Sequence, residues 1–398
     1  MQLVEKHLVR SSNANFLEIE WITFHSKNLY NAANYIMRQH FFDTGNVYGN
    51  NALYHIAKHL EEYSALPRKV SQQTLKVLSN NWKSWVSALR EYRKAPEKFN
   101  GKPKIPKYLD KNGRFVAVYT DQAISFRDER FIRLSGTNIY IETQVAYEKI
   151  NQVRVIPKGS CYVIEVVYTV EPEVNCLDYS LVAGIDLGLN NLATVASNKA
   201  GHSPFFVNGR PIKALNQFYN KQRAYFQAKL PNGVYNSKRL QKITEKRNRR
   251  VDHYMHIASR LIVNYLVYSE IGNLVIGKND GWKQKINIGN RNNQNFVSIP
   301  HARFIGMLTY KAELAGIVVF HQEESYTSKC SFLDMEPISK HANYAGKRIS
   351  RGLFRASSGA LINADVNGAY NIIRKAFPKA FDGIGGVVVH PVRINLRT

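Results

Sequence analysis

The feature that most constrains this chain is a pair of aspartates far apart in sequence, each set in a segment of different texture. Asp186 stands in Gly184-Ile185-Asp186-Leu187-Gly188-Leu189-Asn190-Asn191, where an apolar strand breaks into an Asp-x-Gly turn. Asp365 stands in Ile362-Asn363-Ala364-Asp365-Val366-Asn367-Gly368, which reads as a helix start. One carboxylate ending a central strand and another opening a late helix suit a pair of divalent metals. Two such ions, roughly 3.5–4 Å apart, activate a water and stabilise the leaving oxygen of an in-line displacement, and they require hard oxygen ligands. Gly188, two residues past Asp186, leaves room for a phosphate or backbone to approach.

A length of 398 residues implies two or three domains. The 55 lysines and arginines outnumber the 30 acids, for a net charge of +25, far beyond what solubility needs. A polyanion is the expected partner, and 23 tyrosines and 19 phenylalanines supply stacking surfaces of the kind single-stranded nucleic-acid channels use. No apolar run approaches the roughly 20 residues that span a bilayer, so no membrane association is expected. The first residues lack the basic-then-apolar layout of a secretory signal. Cys161, Cys176 and Cys330 have no paired spacing, which points to reduced thiols in the cytoplasm and excludes a cysteine zinc ribbon on ligand count.

Residues 16–95 read as helices, the last of them with Leu75, Leu78, Trp82, Trp85 and Leu89 at the spacing of a buried face, so the two tryptophans are expected in a core. After Pro96 a Pro- and Lys-rich connector carries Lys102, Lys104 and Lys107 and reads as a linker that touches phosphates. From about Arg114 to Val170 the texture is β, with a turn at Ser135-Gly136-Thr137-Asn138. A strand into Asp186 and a hairpin partner at residues 192–196 open an α/β region. A long helical stretch, residues 212–268, carries Lys242, Lys246, Arg247, Arg249 and Arg250, whose like charges repel unless a polyanion neutralises them. Apolar runs at residues 273–277 and 316–320 flank a helix from about His301, the order of a right-handed parallel crossover.

Strand-end and helix-start aspartates in this order are the geometry of nucleases with a ribonuclease H-like core, and the chain resembles the TnpB-like (OrfB-type) proteins of insertion sequences, relatives of type V CRISPR effectors. The resemblance rests on residues 184–188 as a first RuvC-like motif, Ser325-Tyr326-Thr327-Ser328-Lys329 as the family's Tyr-Thr-Ser segment, and residues 363–367 with Asn371-Ile372 as the third motif. It implies an α/β C-terminal nuclease domain, ribonuclease H-like and of RuvC type, at residues 179–398. The helical insertion at about 212–268 and a zinc-less basic insert at about 329–361 belong to that domain. It also implies an N-terminal β-barrel wedge domain, residues 1–15 and 96–178, with an inserted helical recognition lobe at 16–95. The activity implied is RNA-guided DNA cleavage by an element-encoded endonuclease in a bacterial or archaeal cytoplasm, associated with the nucleoid when bound. Its partners would be a guide RNA from the element end and double-stranded target DNA with a short adjacent motif, and its cofactor Mg²⁺ or Mn²⁺. Base pairing would read the sequence while protein reads backbone shape.

Two departures from the family pattern stand out. Typical members end the central strand with a glutamate, where this chain has Gly277. Glu323 and Glu324, at the end of the next apolar run, could reach the same metals from a neighbouring strand, with Glu324 favoured and Asp280 a third candidate. Only one of two consecutive strand residues can face the site, so the other glutamate should be exposed or paired with a base. The catalytic set expected is Asp186, Glu324 or Glu323, and Asp365. The second departure is the absent zinc ribbon: Cys330 stands alone, followed by Lys347, Arg348, Arg351 and Arg355, which suggests phosphate contact through charge and no zinc. The alternatives are a nuclease-dead RNA-guided DNA-binding repressor and an actin-like ATPase or sugar kinase. The last also uses a Gly-Ile-Asp-Leu-Gly turn but does not need so large a positive charge.

Overall fold

The computed structural model describes residues 1–128, 130–279, 298–384 and 386–396. The chain forms two compact units, Met1–Val170 and Glu171–Thr398. The first unit begins with β1 (Gln2–Val9), then helices α1 (Phe16–Thr44), α2 (Asn50–Ala57), α3 (Glu61–Ser64) and α4 (Arg68–Lys94). Gly45, at φ 70°, ends α1 in the left-handed cap that glycine favours, its N–H returning to Phe41 O at 2.8 Å. Strands β2 (Ala117–Thr120), β3 (Ile124–Asp128), β4 (Phe131–Leu134), β5 (Tyr140–Glu142), β6 (Ile150–Lys158) and β7 (Cys161–Thr169) complete the unit.

The strands of this unit pair in two antiparallel sheets, ordered β1-β7-β6-β2 and β3-β4-β5. The expected β-barrel is therefore replaced, among the described residues, by two open sheets not joined to each other by a hydrogen-bonded ladder. Trp82 is fully buried and donates its indole N–H to Asn34 Oδ1 at 2.9 Å, while Trp85 packs on the same core. The connector is not a free linker. Trp85 donates to Pro103 O at 3.2 Å, Arg38 to Pro106 O at 3.0 Å, and Asn31 exchanges two hydrogen bonds with Leu109, strapping the segment to α1 and α4. Prolines leave carbonyls without a competing strand, and long polar side chains on neighbouring helices take them up.

In the second unit, β8 (Asp178–Leu187), β9 (Asn191–Ser197) and β10 (Phe205–Asn208) form a meander. Helices α5 (Arg210–Gln227) and α6 (Lys238–Tyr268) precede β11 (Ile271–Gly277), and α7 (His301–Leu314) links β11 to the parallel β12 (Val318–Gln322). Hairpin strands β13 (Lys347–Ser350), β14 (Leu353–Arg355) and β15 (Leu361–Asn363) lead into α8 (Ala364–Ala376), and β16 (Val392–Ile394) closes the order. The six-stranded sheet runs β12-β11-β8-β9-β10-β16, parallel at β12-β11-β8 and β10-β16 and antiparallel elsewhere. Residues 171–178, expected with the first domain, belong here instead: Glu173 N–H bonds Leu314 O at 2.7 Å and Asn175 reaches Ala315 O at 3.0 Å.

Alternation along the strands assigns the two faces of this sheet. Ala183, Ile185 and Leu187 of β8, with Leu274 and Ile276 of β11, pack with Met255, Ile262 and Leu266 of α6 and with Phe304 and Leu308 of α7. Val182 and Val275 face the other way, against Ala369, Ile372 and Ile373 of α8. Gly184 lies on that second face: a β-carbon there would meet Ala369 O at 2.5 Å, so the missing side chain lets α8 lie directly on the sheet. By the same alternation Asp186 and Gly277 are turned toward α8.

Candidate active site

Asp186 sits at the end of β8, two residues past Gly184, and is aimed at the first turns of α8. A β-carbon on Gly368 would stand 2.8 Å from Asp186 Oδ2, so the carboxylate rests against the helix backbone. Asp365 lies in the first turn of α8, which Asn363 caps by accepting from the N–H groups of Asp365 and Val366 at 3.0 and 3.3 Å. A carboxylate there is favoured by the helix dipole. Asn191 of β9 donates to Asp365 Oδ2 at 2.7 Å, and Arg348 of β13 stands 3.7 Å from Oδ1.

Glu324, the favoured candidate for the third carboxylate, stands close enough for its charge to act on Asp186. Burial pushes the Glu324 carboxyl up to about 7, and the charge of Glu323 adds to this. Asp186 lies well above the usual carboxylate range, first by burial, then by the negative charges of Glu324 and Asp365, with Arg348 opposing. The two glutamates separate as a facing and a non-facing residue, but not through strand alternation, because β12 ends at Gln322. Hydrogen bonds separate them. Glu323 is exposed, receives Lys375 Nζ at 2.7 Å and caps Ser325 N–H at 2.9 Å, whereas Glu324 is held by Asn279. The Tyr-Thr-Ser segment is fastened to α8 as well: Asn371 donates to Thr327 O and Cys330 O at 2.9 and 2.8 Å, and Asn367 to Cys330 O at 2.9 Å. Asp280, the third candidate, lies outside the described residues.

Glu324 Oε1 is buried without a hydrogen-bond partner. An orphaned carboxylate oxygen beside a second, strongly perturbed carboxylate is a place where a cation would relieve an unfavourable charge. Among the described residues, however, no three His, Cys, Asp or Glu side chains converge closely enough to ligate one ion.

The cationic residues divide. Lys102, Lys104 and Lys107 are exposed on the strapped connector, and Lys347, Arg351 and Arg355 are exposed around the β13–β14 hairpin, where Arg348 turns toward Asp365. On α6, Lys242, Lys246, Arg249 and Arg250 share one exposed face at helical spacing. Arg247 does not belong with them. It is half-buried, donating from Nε to Asn216 Oδ1 at 2.7 Å and from the guanidinium to Ser298 O at 2.5 Å, and it serves as a tie inside the unit. Asn191 and Asn279 escaped the sequence reading, although Asn191 stands inside the quoted first motif and Asn279 two residues past Gly277. Asparagines at strand ends are so common in turns that only their partners mark them.

Residues 165–283 match the OrfB_IS605 family model, described as "Probable transposase", and residues 301–372 match the Cas12f1-like TNB domain. The chain is also similar to the TnpB-like protein ORF457 of Acidianus two-tailed virus, at 26% identity over 225 residues covering 53% of this chain and 44% of that protein. These matches make the chain similar to TnpB-like proteins and, in its later residues, to a Cas12f1-like domain. The chain aligns with less than half the length of this viral relative. Its fold is similar to that in the cryo-EM structure of the Cas12f1-sgRNA-target DNA complex. There the TM-score is 0.58 and the identity 14%, covering 89% of this chain and 82% of that one. It also resembles the mini-RNA-guided endonuclease CRISPR-Cas phi3, with a TM-score of 0.50 and 11% identity, covering 94% and 92% of the two chains. Among the described residues no helix is long and apolar enough to cross a membrane.

Proposed function

We propose that the chain is an RNA-guided DNA endonuclease encoded by a transposable element and acting in the cytoplasm of a bacterial or archaeal cell. The observation that carries the reading is the negative charge set around a buried Asp186, whose carboxyl is raised first by burial and then by Glu324 and Asp365, where β8, the loop after β12 and the start of α8 meet. Three carboxylates from three elements are costly to gather without a cation to share. Drawn closer together than they stand, Asp186, Glu324 and Asp365 would hold Mg²⁺ or Mn²⁺, which when bound lowers the pKa of a water and stabilises the leaving oxygen of a phosphodiester. Asn191 orients the Asp365 carboxylate, and Arg348 stands where it can meet a phosphate beside it.

The partners proposed are a guide RNA from the element end and double-stranded target DNA with a short adjacent motif. The net charge of +25 and the exposed basic face of α6 support them, as does the guide RNA and target DNA named for the Cas12f1 complex. The first unit would act as wedge domain and recognition lobe, and Lys347, Arg351 and Arg355 would contact backbone phosphate without zinc. The test is cleavage of a target-bearing plasmid by protein co-expressed with its flanking RNA, with Mg²⁺ or with chelator, and with Asp186→Ala and Asp365→Ala as controls. The reading requires metal-dependent cleavage that both variants lose by several orders of magnitude. Gly277 at the strand end favours one rival, a guided repressor with a dead nuclease, which would bind the plasmid and never cut it.

A further inference from the structure

Gly277 ends β11 opposite Gln322 of β12, one residue beyond the Ile276–Ile185 pair, so its outward direction is toward the space in front of Asp186. Its backbone is outside the left-handed region, so conformation does not demand glycine there. What demands it is occupancy. A β-carbon at 277 would collide with Glu324 Oε1, lie 2.9 Å from Glu324 Cδ and 2.7 Å from Ile372 Cδ1. The carboxylate thus fills the volume a strand-end side chain would take, arriving from the loop after the neighbouring strand.

A carboxylate on a loop does not stay in such a place by itself. Asn279 donates from Nδ2 to Glu324 Oε2 at 3.0 Å, and its Oδ1 accepts the backbone N–H of Glu324 itself at 3.0 Å. The two bonds form a ring that fixes both the main chain and the side chain of Glu324. They satisfy Oε2 and leave Oε1 free and buried. The amide does both: an aspartate in its place accepts the N–H but cannot donate, and sets a second negative charge beside the first.

We propose that Asn279 is the positioning residue of this site, holding Glu324 in the place vacated by Gly277 so that its free oxygen is presented to a divalent cation. The inference rests on the metal-dependent reading above. Asn279 touches no reacting atom and acts through Glu324. Orienting partners of metal ligands commonly contribute about 10–100-fold in metal affinity.

The experiment is Mn²⁺ binding to the full chain by calorimetry, alongside guide-RNA affinity and thermal melting, for the wild type and for Asp186→Ala, Glu324→Ala, Asn279→Ala and Asn279→Asp. Both Asn279 variants should weaken Mn²⁺ binding at least ten-fold, with guide-RNA affinity and melting temperature unchanged. A second series moves the carboxylate back to the strand end with Gly277→Glu and Glu324→Ala together, a background in which Asn279→Ala should have no further effect on Mn²⁺ binding. Wild-type Mn²⁺ affinity in Asn279→Asp overturns the proposal, as does loss from Asn279→Ala that is equal in both backgrounds. If Asp186→Ala and Glu324→Ala leave Mn²⁺ binding intact, the metal reading itself fails. That result differs from a failure confined to Asn279.

Discussion

Asp186 Oδ2 lies so close to Gly368 that a β-carbon there would be 2.8 Å away. The central strand and the late helix therefore meet backbone to carboxylate, and the position of Asp186 depends on a hydrogen atom at residue 368. Gly368→Ala raises intrinsic helix stability by up to about 1 kcal/mol, yet it must displace the Asp186 carboxylate. The expected outcome is a ten-fold or greater loss of plasmid cleavage with a melting temperature near that of the wild type. An active Gly368→Ala variant would show that Asp186 has room to spare.

Glu324, raised from an ordinary value of 4.5 to about 7, binds a proton in the folded chain that the unfolded chain has already released. Stability from this group is complete below the unfolded value and is lost as pH rises through about 7. The raised Asp186 carboxyl acts with the same sign. In chelator, the wild type should melt lower at pH 8 than at pH 5.5 by more than Glu324→Gln does. Mg²⁺ should recover the difference at pH 8. A Glu324→Gln melting curve parallel to the wild type across this range would contradict the shift.

Arg247 and its neighbours should behave as two classes. Arg247→Ala removes the guanidinium bonds to Asn216 and Ser298 O and should destabilise the fold by about 1–3 kcal/mol. Arg249→Glu with Arg250→Glu should leave the melting temperature in place and weaken guide-RNA binding. Melting temperatures and filter-binding affinities measured on the same preparations separate the two effects.

Affinity for RNA should fall log-linearly with salt, by on the order of 10³-fold between 50 and 200 mM, because the bound lysines and arginines release condensed counterions. The slope should shrink in the Arg249 and Arg250 double variant and stay unchanged in Asn279→Ala. A flat response in the wild type would remove the polyanion as partner.

Local chemistry was legible in the residues alone. The apolar run into Asp186, the helix opening at Asn363 and Asp365, the buried stripe through Trp82, and the crossover from β11 to β12 all follow from periodicity and capping, which are properties of neighbouring residues. The likeness to TnpB-like proteins was legible too, from short motifs in a fixed order, and the viral relative matches at 26% identity over 225 residues. Tertiary structure decided what depends on distance between segments. Nothing in the run of residues 98–108 tells that its carbonyls are claimed by Asn31, Arg38 and Trp85, or that the predicted barrel strands part into two sheets. Arg247 and Arg249 are both arginines in one charge run, and only the fold turns one inward to Asn216 and leaves the other in solvent. The same holds at the site: the sequence offers two adjacent glutamates and an empty strand end. Asn279, Lys375 and the absent side chain of Gly277 set Glu324, and not Glu323, beside that strand end, because a hydrogen bond and an excluded volume exist only once the chain has brought distant residues to within about 3 Å.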